Sequence, residues 1–315
     1  MIATTLEILA GLALLVVGGE GLVRGSSALA GQLGVSRLAI GLTVVAIGTS
    51  APELVVSLDA VLEGAYDISV GNVVGSNIAN VALILGIAAL LRPARVSANV
   101  ARVHVPLMTV VSLALVGTLA SGAISRIEGV ALLVGLVAYI RFTLWEARLQ
   151  HLDEHELEEF ASATPTAPGR VWHAAGLVVG GLGALVIGAR LLVGAAVVLA
   201  TAVGVSEAAI GLTVVAVGTS LPELSASVVA ARRGQGDIAV GNVVGSNLFN
   251  VLGIVGVTAS VRPLAPGGIG SSDLTAMLAV ALLLAVFAST RLVLGRVEGA
   301  LLLCVYVGYV MWLLV

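Results

Sequence analysis

Residues 41–53 read GLTVVAIGTSAPE and residues 71–80 read GNVVGSNIAN. Both stretches recur: residues 211–223 read GLTVVAVGTSLPE and residues 241–250 read GNVVGSNLFN. The offset is 170 throughout, so Gly41 matches Gly211, Glu53 matches Glu223 and Asn80 matches Asn250. In each copy one apolar run is interrupted by Gly-Thr-Ser-x-Pro-Glu and a second by Gly-Asn-x-x-Gly-Ser-Asn. Carboxylates, hydroxyls and amides in apolar surroundings are costly unless they bind something. The function is expected to sit in this pair of segments.

The rest of the chain sets those surroundings. Mean hydropathy is +1.13 and charged residues are only 10% of the total, which marks an integral membrane protein. Glycine is abundant, at 39 residues, and small residues let membrane helices approach closely. Every basic residue is Arg, with no Lys, and the single Cys304 excludes an intrachain disulfide. The first apolar run carries Glu7 and no basic stretch before it, so it reads as a retained span and not a cleaved signal peptide.

A span needs about 20 apolar residues. Breaks at charges, Gly/Pro clusters and polar turns predict an all-α membrane protein of ten transmembrane helices. The first five cover about 2–30, 38–62, 67–91, 103–120 and 127–145, and the second five about 172–200, 208–231, 237–261, 273–290 and 297–315. Residues 1–145 form a first five-helix repeat, 146–170 a polar linker and 171–315 a second repeat. The halves align without a gap; the outlying matches are Arg92-Pro93 with Arg262-Pro263, and Arg126, Glu128 and Gly129 with Arg296, Glu298 and Gly299. Five is odd, so the second repeat must enter the membrane inverted, an architecture that places a binding site near the midplane between the halves.

Arginine placement orients the chain. With the N-terminus outside, inward loops hold Arg37, Arg92, Arg95, Arg102, Arg141, Arg148, Arg170, Arg232, Arg233, Arg291 and Arg296, whereas outward loops hold only Arg126 and Arg262. That bias predicts a multi-pass cell-membrane protein with both termini outside and the 146–170 linker in the cytoplasm.

Pro52 and Pro222 each remove a helix hydrogen bond and clash with the preceding turn, so spans two and seven are expected to kink or break. Carbonyls around Ala46–Thr49 and Ala216–Thr219 would then be partly freed, and in hydrocarbon they need partners. Glu53 and Glu223 follow each proline directly. Asn72, Ser76 and Asn80 recur at i, i+4 and i+8 and share a helix face; Asn242, Ser246 and Asn250 repeat the pattern. All these ligands are oxygen donors, which suits hard cations such as sodium, calcium or magnesium and not zinc or copper. A lone Ser/Thr/Asn cluster in a membrane helix is more often glue between helices. Glue does not require a carboxylate, two hydroxyls, a proline break and a facing amide set to be duplicated together.

The two segments resemble the α-repeats of the sodium/calcium exchangers, within the calcium/cation antiporter superfamily. GTSAPE and GTSLPE resemble that family's first helix-break motif, and GNVVGSN, present twice, its second. The resemblance covers the whole chain. It implies a secondary antiporter, not an enzyme, exchanging sodium for calcium by alternating access with no cofactor. By the same resemblance Glu53 and Glu223 would be the central calcium ligands shared with sodium, completed by the Thr49 and Thr219 carbonyls. Ser50, Ser76, Ser220 and Ser246, with the Ala46 and Ala216 carbonyls, would line flanking sodium sites. Asn80 and Asn250 would close the middle, and long spans one and six would slide across the rest. Some family members carry Asp where this chain has Asn250; Asn in both halves leaves two formal charges and argues against potassium co-transport. Two carboxylates match one calcium or two sodium ions, and moving the empty, doubly negative site past an apolar barrier would cost several kcal/mol at the least. The expected partners are calcium and sodium ions and the lipid bilayer, with no nucleic acid, and the chain is expected to be a monomer.

A proton/calcium or potassium-dependent sodium/calcium antiporter is the alternative. A passive channel fits helix-break carboxylates less well than alternating access does. An intramembrane hydrolase would need an unduplicated nucleophile or metal set that is not present. In the linker, His151 and His155 among acids could form a regulatory metal patch, although a solvated helix end is the simpler reading. His104 and His173 are expected at the interface, Asp67 and Asp237 as helix N-caps. Glu20 and Arg24 could pair at i, i+4, a feature the second half lacks because Arg190 replaces Glu20.

Overall fold

Without water to satisfy the backbone, apolar runs of this length can span a membrane only as helix or closed barrel, and helix is what they form. The computed structural model describes residues 2–120, 122–150, 171–202 and 216–313. The first half contributes α1 (Ile2–Leu33), α2 (Arg37–Thr49), α3 (Ala51–Glu63), α4 (Tyr66–Leu91), α5 (Val100–Ala120) and α6 (Arg126–Gln150). The second contributes α7 (Val171–Ala202), α8 (Ala216–Thr219), α9 (Leu221–Arg232), α10 (Gly236–Val261), α11 (Ser271–Arg291) and α12 (Arg296–Leu313). Among the described residues 8 helices are long and apolar enough to cross a membrane, or 9 if the bent pair α2 and α3 is one span. Of the expected span at 208–231 only the later part is described. The expected start of that span and the residues 151–170, with His151 and His155, lie outside the described residues.

The two helices carrying Gly-Asn-x-x-Gly-Ser-Asn form the centre. The most apolar stretch of α10 is 100% buried and that of α4 is 78% buried, whereas none of the other six unbroken spans exceeds 33%. Glycine makes this central packing tight. A Cβ on Gly245 would lie 2.5 Å from the Leu42 carbonyl oxygen and 2.8 Å from the Ala46 Cβ, so α10 rests directly on the α2 backbone. Within the helices, wide π turns occupy Gly41–Val45, Ala79–Leu85, Val100–His104 and Asn250–Val255. Such turns recur at functional sites, and two of them hold Asn80 and Asn250.

Several contacts between the halves are reciprocal under the 170-residue offset. Two short strands missing from the expected pattern, β1 (Ala94–Arg95) and β2 (Val293–Leu294), pair antiparallel with Ala94 opposite Leu294. The matched positions, Leu264 and Ile124, exchange backbone hydrogen bonds of 2.7 and 2.9 Å. Arg92 donates to the Arg232 carbonyl and Arg262 to the Leu62 carbonyl, both at 3.3 Å. Along α1 and α7, a Cβ on Gly11 would meet the Gly188 oxygen at 2.9 Å, and one on Gly18 the Gly181 oxygen at 2.8 Å.

Three expectations outside the motifs are corrected. Asp67 and Asp237 sit in the first turns of α4 and α10, where the N-cap positions belong to Ala65 and Gln235. Asp67 instead accepts the Gly268 N–H at 2.8 Å, tying the start of α4 to the loop before α11. His104 is not interfacial: it is 1% exposed, with Nε2 3.1 Å from Glu146 and Nδ1 3.4 Å from the Tyr139 hydroxyl. The π turn ending at His104 places the ring inward, and α6 runs past residue 145 so that Glu146 reaches it. His173 is exposed, as an interfacial residue would be.

Candidate ion-binding site

Each proline stands second in a new helix, Pro52 in α3 and Pro222 in α9, where its missing N–H has no intrahelical partner to lose. Ser50 and Ser220 occupy the breaks, and α2 bends by 44° into α3. The break brings Glu53 into the first turn of α3 and Glu223 into that of α9. A helix N-terminus favours negative charge, which helps to hold a carboxylate where water is excluded. Both glutamates are 1% exposed. Among the described residues neither takes part in an ion pair.

The hydroxyls cross between the halves. Ser50 donates to Glu223 Oε1 at 2.9 Å, and Ser220 to Glu53 Oε1 at 3.4 Å. Thr49 is fully buried, its hydroxyl 3.2 Å from Asn242 Oδ1. Ser246 is fully buried and lies 3.5 Å from the Ala46 carbonyl oxygen; Ser76 is buried on α4. Thr219 ends α8 and is half-buried, and Ala216 begins the same short helix. The Ala46 carbonyl is not freed as expected. It accepts the Ser50 N–H at 3.1 Å, because α2 keeps its hydrogen bonds up to the break.

The amides divide into two roles that the helical-face argument merged. Asn72 does not face the carboxylate cluster with Asn80. Its Nδ2 donates to the Glu53 carbonyl at 3.1 Å and to Ser57 at 2.9 Å, and Asn242 does the same to the Glu223 carbonyl and Ser227 at 3.4 and 3.0 Å. These amides lock each glutamate-bearing turn to the neighbouring helix. Asn80 and Asn250 lie at the centre, and their Nδ2 atoms donate to Asn247 Oδ1 and Asn77 Oδ1, each at 3.0 Å. Asn247 closes the chain through the Asn77 carbonyl at 3.2 Å. Asn77, Asn247, Ser57 and Ser227 were not singled out from sequence, although all four obey the 170-residue repeat, which is the signal that marks them.

With their donors tied, four buried oxygens of this cluster are left without a hydrogen-bond partner among the described residues: Oε2 of Glu53 and of Glu223, and Oδ1 of Asn80 and of Asn250. A buried acceptor left unsatisfied is costly, and here the four occur as matched pairs. A cation takes such oxygens as ligands, and two carboxylates with neutral oxygens form a hard-cation donor set. Among the described residues no three His, Cys, Asp or Glu side chains cluster, so neutral oxygens must complete any coordination shell.

A family model described as sodium/calcium exchanger protein matches residues 4–145 and 173–315. The chain belongs to this family. Among relatives of the exchanger chain, the inner membrane protein YrbG of Escherichia coli is 37% identical over 324 residues, covering 99% of this chain and 96% of that one. The sodium/calcium exchanger MaX1 of Methanosarcina acetivorans is 34% identical, covering 96% of each. Among solved structures, the sodium-calcium exchanger NCX_Mj, soaked with sodium and calcium, superposes with a TM-score of 0.85 at 33% identity, over 99% of this chain and 98% of that one. The exchanger fold is therefore an all-α membrane fold, shared over almost its whole length with that structure.

Proposed function

We propose that the chain is a secondary antiporter that exchanges sodium for calcium across the cell membrane by alternating access, without a requirement for potassium. The observation that carries this reading is the set of four buried oxygens on Glu53, Glu223, Asn80 and Asn250 that have no hydrogen-bond partner among the described residues. In the proposed site the two glutamates bind calcium or sodium, with the Thr49 and Thr219 carbonyls completing the calcium shell. Ser50, Ser76, Ser220 and Ser246, with the Ala46 and Ala216 carbonyls, line flanking sodium positions. Neutral Asn at 80 and 250 leaves two formal charges, which one calcium or two sodium ions balance. An unloaded site would have to carry both charges through the apolar barrier, so loaded states cross and leak is suppressed.

The proposed architecture is ten spans in two inverted five-helix repeats, residues 1–145 and 171–315, joined by a cytoplasmic linker at 146–170 with both termini outside. The reciprocal contacts support inversion, since the pairing of Ala94 with Leu294 recurs as Ile124 with Leu264, and that of Arg92 with Arg232 as Arg262 with Leu62, each with its ends exchanged. The monomer is the proposed working unit, because both halves of the site lie in one chain. The test is calcium uptake into proteoliposomes with sodium, potassium and proton gradients imposed separately. Uptake driven by sodium alone is expected. Uptake that requires a proton gradient, or potassium, transfers the reading to those antiporters.

A further inference from the structure

The 170-residue offset relates position 20 to position 190 and position 63 to position 233. These positions carry Glu20, Arg190, Glu63 and Arg233, so the repeat retains two pairs of opposite charge but exchanges their signs. In one pair the acid is on α1 and the base follows α9; in the other the base is on α7 and the acid ends α3.

The structure treats the two pairs differently. Glu20 accepts from Arg233 Nε at 2.7 Å and also from its Nη2, and Arg24 adds a contact of 2.6 Å. Alongside, the Ser225 hydroxyl of α9 donates to the Leu15 carbonyl of α1 at 2.6 Å. A Cβ on Gly19 would lie 2.8 Å from that hydroxyl and 3.1 Å from Val229. Helix α1 is thus fastened along α9. Among the described residues no ion pair joins Arg190 to Glu63. Both residues are exposed, and α7 makes no comparable packing against α3.

In inverted-repeat transporters one repeat rocks against the other around a fixed site; on the alternating-access reading, contacts that differ between matched halves belong to one orientation, and exchanging them describes the other. We propose that Glu63 and Arg190 form the ion pair of the opposite-facing state, while Glu20 and Arg233 hold the orientation seen here. The four are positioning residues of the exchange cycle, each pair stabilising one orientation, and the proposal rests on the alternating-access reading above. Under the orientation proposed above, the closed latch is cytoplasmic and the open one is external. A partly exposed ion pair changes the ratio of two states by up to about fivefold, enough to tune a cycle without locking it.

The test uses the full chain in proteoliposomes, in a Cys304→Ala background. One variant carries Glu20→Cys with Arg233→Cys, the other Glu63→Cys with Arg190→Cys. A bifunctional methanethiosulfonate reagent is expected to cross-link both pairs. Conditions that raise one yield should lower the other, and either cross-link should stop calcium flux until a reductant is added. Glu63→Arg alone should shift the cross-linking of 20 to 233 upward by up to about fivefold, and adding Arg190→Glu should restore it. The proposal is overturned if positions 63 and 190 each react with a monofunctional reagent yet never cross-link in protein that still exchanges calcium. It is equally overturned if the two charge reversals act additively. Absence of any calcium exchange by the unmodified protein would instead remove the functional reading, and the cross-linking pattern would still be legible.

Discussion

Replacing Glu53 by Gln alters charge at nearly constant shape. A divalent cation and a carboxylate about 4 Å apart interact by about 8 kcal/mol at an effective dielectric of ~20. Much of that is offset, because the neutral amide costs less to bury and its oxygen can still ligate. If a third survives, calcium affinity falls about hundredfold. Sodium, with half the charge, loses about half the gross term. Stability gives a readout that needs no transport. Calcium at 100 times its dissociation constant stabilises the folded protein by about 2.7 kcal/mol; a hundredfold weaker variant at the same concentration gains about 0.4 kcal/mol. Thermal unfolding in detergent should therefore show a large calcium-dependent shift for the unmodified chain and almost none for Glu53→Gln or Glu223→Gln. Without ions both variants should be at least as stable as the parent, since each loses a buried charge that has no ion-pair partner among the described residues. Vesicle uptake of calcium against a sodium gradient should fall to background. Uptake and calcium-dependent stabilisation near the parent level in either variant would refute the two-carboxylate centre.

Four further outcomes follow from the same geometry. Asn250→Asp adds a third carboxylate to the cluster, which must then hold a proton or a further monovalent cation; its sodium-driven calcium flux should become sensitive to pH, potassium or both, whereas the parent should run unchanged with choline in place of potassium. Gly245→Ala puts a Cβ 2.5 Å from the Leu42 oxygen, and the resulting shift of α10 should cost about 1–3 kcal/mol in thermal or denaturant unfolding. Asp67→Asn removes only the charge from an exposed loop contact, so flux should stay within about twofold of the parent, a loss of under ~0.5 kcal/mol. In a Cys304→Ala background, a cysteine in the 146–170 linker should resist impermeant thiol reagents outside intact cells and one at the C-terminus should react; the reverse pattern overturns the arginine-based orientation.

Much of the site was legible because it is duplicated. Among the described residues the apolar runs gave the helices to within a few residues, and the prolines marked the helix breaks, since Pro52 and Pro222 act locally whatever surrounds them. What sequence reasoning missed depends on non-local geometry. Helical spacing groups Asn72, Ser76 and Asn80 loosely on one face, but eight residues of regular helix already turn by about 80° beyond two full turns, so Asn72 faces Ser57 while Asn80 meets Asn247. The Ala46 carbonyl was expected to lose its partner, yet Pro52 stands in the first turn of the next helix, where it costs no intrahelical bond, and Ser50 still donates to Ala46. His104 looked interfacial because the carboxylate that receives it, Glu146, was assigned to the linker. The pairing of β1 with β2 joins residues about 200 apart in sequence, beyond the reach of any local pattern.

The glycine contacts between α1 and α7 have a mechanical consequence. Each helix has 32 residues and is about 48 Å long at 1.5 Å per residue. Backbone meets backbone at Gly11 with Gly188 and at Gly18 with Gly181, two sites well separated along the seam. Two separated points of direct contact resist both hinging and splaying, so the helices form one stiff beam with a single direction of travel. A beam that carries α1 away from α9 must carry α7 with it. Under the proposed alternating access, the two ends of the path would then share one degree of freedom, and opening one would be the same displacement as closing the other.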